Sequence, residues 1–167
     1  MILPFSTQIN GKPTNFVSKI WAGIENKFTE FGHKGNRFNP PKEYYSCADK
    51  GLISFKRSKP KYHTIREDLK DRWHKDVMID FYINCRQKNM FQFAPRLPCV
   101  STQKIEIYHR VFAKNLYPEV LIDNVRLNPM KLYDLAQNDG FETIEDFFEY
   151  FNKDYQGKII HWTDLRY

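Results

Sequence analysis

Apolar and polar positions along the chain follow different periods in different stretches, and the changes of period mark the elements. Residues Ile2–Phe5 are a short apolar run that predicts a first strand. Pro13-Thr14-Asn15 then reads as a helix start with Thr14 as N-cap. Phe16, Ile20, Ile24, Phe28 and Phe31 follow three and four residues apart, the core stripe of one helix that Gly32 closes. From Gly32 to about Lys59 the periodicity is lost. His33 to Lys42 is basic and rich in turn residues, and Lys56-Arg57-Ser58-Lys59 adds a second basic cluster beside Phe55.

Beyond this stretch the period becomes two. Tyr62 to Arg66 predicts a short strand, and Leu69 to Asp76 a polar turn anchored by Trp73. Val77–Cys85, Met90–Pro95 and Ser101–Phe112 read as further strands, and Glu119–Ile122, the Asp123-Asn124 turn and Val125–Leu127 as a hairpin. Two helices follow. Asn128 caps the first, Pro129 sits at its first position and Gly140 ends it. Thr143 to Asp146 resembles a capping box, Ile144, Phe147, Phe148 and Phe151 form a core face, and Gly157 is the expected stop before a closing strand over Lys158–Leu165. Short strands at this spacing suggest a β-barrel core. There is no internal repeat, and 167 residues fit one domain, 1–167, with the basic, turn-rich stretch at about 32–57 as an insertion.

Composition narrows the class. A hydrophobic share of 41% fits a globular chain, and no apolar run reaches the ~18 residues of a membrane span. The first residues, Met1 to Ser6, lack a charged and then apolar leader pattern, so a cytoplasmic protein is expected. The net charge of +6 and a pI near 9.1 favour a polyanionic partner such as nucleic acid. Cys47, Cys85 and Cys99 are odd in number and widely spaced, and the five histidines make no His-x-x-x-His pair. No metal site, disulfide scaffold or cofactor is expected.

The densest chemistry lies in Ser58 to Asp68. Pro60 fixes φ and removes a donor, so Lys61 leaves a turn just before the strand. Strand alternation puts Thr64 and Arg66 on one face and Lys61 on the other, so Lys61 joins Thr64 only if the backbone twists there. A buried lysine beside a cation such as Arg66 has its pKa pulled from about 10.4 toward ~7–8, where it can serve as a base. The alternative is a solvated Lys61 at a strand end, with Arg66 paired to Glu67 or Asp68.

Lys61, Thr64 and Arg66 form a Lys-x-x-Thr-x-Arg pattern that resembles the signature of ASCH domains, which are PUA-like β-barrels. In the small bacterial members that hydrolyse 4-acetylcytidine the motif opens with glycine, and Lys59 stands at that position here. The resemblance implies an α+β fold, a mostly antiparallel barrel with about three helices. It also implies that Asp139, in Asn138-Asp139-Gly140-Phe141, stands for the family's acidic residue, usually Glu, although Asp139 also reads as a neighbour of the helix C-cap. In the enzyme reading Lys61 activates the Thr64 hydroxyl or a water against an acyl carbon, Arg66 steadies the oxyanion and Asp139 shuttles the proton. Family members described as ribonucleases extend the reading to a phosphodiester. A non-catalytic module binding RNA or a modified base is the alternative, with Arg37, Lys56, Arg57 and Lys59 as phosphate contacts and Phe38, Tyr44 and Tyr45 as stacking partners.

Overall fold

A computed structural model describes residues 1–31, 39–54, 58–109 and 117–167. In chain order the elements are β1 Ile2–Phe5, β2 Gln8–Ile9, β3 Lys12–Pro13, α1 Phe16–Phe31, α2 Lys42–Asp49, β4 His63–Arg66 and β5 Met78–Ile83. There follow β6 Phe91–Gln92, β7 Leu97–Pro98, β8 Ser101–Tyr108, β9 Glu119–Ile122, β10 Val125–Arg126, α3 Pro129–Asn138, α4 Ile144–Tyr150 and β11 Tyr155–His161.

The fold is α+β, built on two main sheets. The larger is antiparallel in the order β10-β9-β8-β11-β4. The smaller has β5 between β1 and β6, with β7 also on β5, and its β1–β5 pair is parallel. The expected barrel is not what forms, since none of the described sheets closes on itself. Several strands are only two to four residues long, and β4 stays an edge of the larger sheet whose free side is met by the end of α3.

Local signals set most helix ends. Asn128 Oδ1 accepts from Lys131 N at 2.8 Å and Pro129 follows it, as the capping pattern requires. The Thr143 hydroxyl accepts from Asp146 N at 3.1 Å and donates to the Asp146 carboxylate at 3.0 Å. At α1 the residue before the helix is Asn15, at φ 52°, with Lys19 N bonded to its carbonyl. Thr14, expected as the cap, instead donates to Ser6 O and lies a long 3.4 Å from Phe16 N. The Asp123-Asn124 turn has both residues at positive φ, the geometry a two-residue hairpin needs.

Three further expectations are corrected. Four helices are present among the described residues rather than about three, because Lys42–Asp49 inside the supposed insertion is helical and buries Cys47. Tyr44 of that helix packs edge-on against Trp21 at 5.2 Å, so it belongs to the body of the protein rather than to a stacking surface. Gly157 does not stop a helix. α4 ends before Phe151, and Gly157 lies in β11, where a Cβ would stand 2.5 Å from Arg66 O.

β11 divides two cores. Ile160 and Trp162 join Leu3, Phe5, Trp21 and Phe81 on one side, and Ile159 joins Ile105, Leu135 and Phe147 on the other. A strand covered on both faces explains its consecutive apolar residues.

Candidate functional site

The site is built where three segments meet, the approach to β4, the start of α1 and the end of α3. Lys61 lies just before β4, so strand alternation does not fix its direction. Its backbone N–H donates to Lys19 O on α1 at 2.8 Å, and Tyr62 N donates to Asn138 O at 3.0 Å. Gly23 permits the first of these contacts, since a Cβ there would stand 2.6 Å from Lys61 O. Clamped in this way, the Lys61 side chain runs inward and is 1% exposed.

Its ammonium finds two acceptors on one residue. Nζ donates to the Asp139 carbonyl and, at 2.8 Å, to Asp139 Oδ1. The Phe16 ring lies 4.7 Å from the same amine, within cation–π range. Asp139 is the C-cap of α3 and is also the ion-pair partner of Lys61. Its Oδ1 further accepts from Ile65 N at 3.2 Å, an edge N–H of β4 that no strand pairs. Gly140 follows at φ +92°, and a Cβ there would press on Phe16 at 2.9 Å and Lys61 Cδ at 3.1 Å. Here glycine is required both by the backbone and by the close approach.

Electrostatics follow from burial. Desolvation pushes the Lys61 amine down to about 8, the Asp139 charge and hydrogen bond pull it back up, and Arg66 and Lys19 add smaller downward pushes. Burial pushes Asp139 up, but Lys61 and His63 outweigh it and hold the carboxyl below its ordinary value. Arg66, assigned from sequence as the cation that lowers Lys61, is thus a secondary cause.

Lys61, Thr64, Arg66 and Asp139 all line one small recess of about 20 Å³, the room of about one water, with Phe16, Phe141 and Tyr150 among its other walls. Among the described residues the Thr64 hydroxyl has no hydrogen-bond partner, and no bond joins it to Lys61. Arg66 is not paired to Glu67 or Asp68. Its Nη2 donates to Pro4 O at 2.7 Å, its guanidinium lies 5.5 Å from the Phe5 ring, and its Nε is buried with no partner. A polar molecule in the recess would meet an amine lowered to about 8 and, among the described residues, an unused hydroxyl and an unused guanidinium N–H.

Of the residues expected to hold phosphates, Lys59 is exposed near the entry to Lys61, while Arg37, Lys56 and Arg57 lie outside the described residues, as does Phe38. Among the described residues no group of three or more His, Cys, Asp or Glu is placed to hold a metal ion, and no helix is long and apolar enough to cross a membrane.

Sequence reasoning missed two neighbours of the site. Lys19, on α1 outside its apolar stripe, is 6% exposed and donates to Gly140 O at 2.7 Å and to Glu142 at 2.5 Å. Its position between Ser18 and Ile20 carries no signal of burial. His63 is fully buried, with Nδ1 3.5 Å from Asp139 Oδ1. Its place inside the lysine–threonine motif was the one available hint. Comparison with family models, with curated proteins and with solved structures finds no match to this chain.

Proposed function

We propose that this recess is the active site of an ASCH-type hydrolase that cleaves the amide of an acylated cytidine, free or within RNA. The observation that carries the reading is the shared recess, in which a buried lysine paired to an aspartate stands with an arginine and with a threonine hydroxyl that has no partner among the described residues.

The chemistry follows from these groups. In its neutral form the Lys61 amine accepts a proton from the Thr64 hydroxyl or from a water that Thr64 orients, and the oxygen attacks the acyl carbon. Charge develops on the acyl oxygen, and Arg66 is the available donor to it. As the tetrahedral species collapses, the proton on Lys61 passes to the leaving cytidine nitrogen while Asp139 holds the ammonium in place. If Thr64 is the nucleophile, a water then releases the acyl group as a carboxylate.

A second reading is favoured by one observation. Both acceptors of the Lys61 ammonium are supplied by Asp139, an arrangement that also suits a structural pair beneath a binding pocket for RNA or a modified base. Thr64→Val separates the two, because it removes the hydroxyl while keeping β-branching in the strand. The variant is expected to remain folded, to bind acylated cytidine about as well as the parent, and to lose nearly all turnover. Equal turnover in variant and parent would overturn the Thr64 mechanism. No turnover by the parent, with RNA binding that weakens steeply as salt rises, would favour the binding module.

A further inference from the structure

Beneath the Lys61–Asp139 pair lies a second layer of buried polar groups. His63 lies in β4 beside the C-cap of α3, with its ring fully enclosed. Its Nε2 is 2.7 Å from the Tyr167 hydroxyl, and that hydroxyl accepts from Asn138 Nδ2 at 3.0 Å. Asn138 directly precedes Asp139, so the chain of contacts begins and ends on the same turn of backbone.

The direction of the His63–Tyr167 bond depends on the tautomer of His63. The Asn138 NH2 donates to the Tyr167 oxygen, which leaves the Tyr167 O–H free to donate to His63 Nε2 when that nitrogen carries no proton. If Nε2 accepts from Tyr167, it is unprotonated in the neutral imidazole and the proton lies on Nδ1. Nδ1 is the nitrogen that faces Asp139 Oδ1, at 3.5 Å, a charge–dipole contact rather than a formed hydrogen bond. The opposite tautomer would turn a lone pair toward a carboxylate. The carboxylate therefore selects the Nδ1–H form, and Tyr167 can donate to Nε2 in that form.

We propose that His63 is a positioning residue for this site: locked as its Nδ1–H tautomer by Tyr167 and Asn138, it steadies the Asp139 carboxylate that holds Lys61. The proposal rests on the Lys61–Asp139 pair being the working part of the site. It makes Asn138 and Tyr167 part of the same device.

The groups that bear on this pair come from every neighbouring element. Asp139 is on the end of α3, Arg66 and His63 are on β4, and Lys19 is on α1. Behind His63 stands His161 of β11, its ring centroid 5.3 Å away, with neither ring nitrogen bonded. Burial and the neighbouring His63 and Arg166 lower His161 to about 3, and burial lowers His63 as well. Both rings are therefore neutral across the range in which Lys61 titrates. The positive end of the His63 dipole points at the pair, which favours the carboxylate and disfavours the ammonium.

Two measurements on the intact protein test this without any substrate. Ring 15N NMR, with His63 assigned from its absence in His63→Asn, is expected to give the Nδ1–H pattern, and an Nε2–H pattern would overturn the proposal. Amine-selective labelling gives the Lys61 titration midpoint in the parent, in Tyr167→Phe and in the two His63 variants. His63→Leu and Tyr167→Phe are expected to raise the midpoint by ~0.5–1 unit, a shift within the usual spread for folded proteins. His63→Asn, whose amide can offer an N–H near the Nδ1 position, is expected to restore the parent midpoint. Equal midpoints in parent and Tyr167→Phe, or equal shifts in His63→Asn and His63→Leu, would reduce His63 to packing. If His63→Leu does not fold, the tautomer and the Tyr167→Phe midpoint still decide the matter. Lack of turnover on acylated cytidine would refute the hydrolase reading alone and leave both of these measurements interpretable.

Discussion

Replacing Asp139 with asparagine removes one charge from the Lys61 pair while keeping the size of the side chain and an acceptor oxygen. The amine and Oδ1 are 2.8 Å apart, where unit charges at an effective dielectric near 20 attract by about 6 kcal/mol. Desolvation of both groups opposes that attraction. What unfolding reads is the cost of stranding one buried charge, ~3–5 kcal/mol when a buried pair is cut on one side. The pH dependence has a definite sign. Asp139 is the partner that holds Lys61 up at about 8 against burial, so in Asp139→Asn the folded-state value falls further below that of the unfolded chain. Between the variant's value and about 8 only the folded parent keeps the proton, so the parent's advantage is full below that window and shrinks as pH rises through about 8. Urea unfolding of both proteins near pH 6 and near pH 9.5 measures it directly. A loss below about 1 kcal/mol near pH 6, or an equal loss at both pH values, would refute the description of Lys61 and Asp139 as a buried charged pair.

Other consequences follow from the same geometry. Turnover of acylated cytidine should rise with pH and level off above about 8, because the neutral Lys61 amine is the base, and the midpoint of amine labelling should match that value. A labelling midpoint near ~10.4, the value of a free lysine, would count against Lys61 as the base. Gly140→Ala places a side chain at φ +92° and 2.9 Å from Phe16. It should cost ~1–3 kcal/mol of stability and disturb the Lys61 midpoint, and an unchanged urea midpoint would show that this turn relaxes freely.

Much of the architecture was legible because it is encoded locally. The α3 cap at Asn128-Pro129, the Thr143–Asp146 cap and the Asp123-Asn124 turn each depend on a few consecutive residues, whose side chains satisfy the backbone groups beside them. The stripes of α1 and α4 depend only on helical spacing, and Phe16, Ile20, Ile24, Ile144, Phe147 and Phe148 are all buried. The segment His63–Arg66 is a strand through its β-rich residues, and Lys61, Thr64 and Arg66 stood out as candidates through their resemblance to a family pattern.

Tertiary structure decided the rest. Pattern could not say that β1 pairs in parallel with β5, that β11 is central, or that the sheets stay open, since strand partners are chosen by surfaces distant in sequence. Gly157 looked like a helix stop because a glycine required by close approach across a sheet is identical, in sequence, to one required by a turn. The burial of Lys61 depends on α1, which accepts its backbone N–H at Lys19, and on α3, which delivers Asp139. The surroundings of the His63 ring come from Tyr167, Asp139 and His161, all distant in sequence. A lysine's titration and a histidine's proton are set by which acceptors surround them and how far water is excluded, and both are properties of the assembled fold rather than of the few residues on either side.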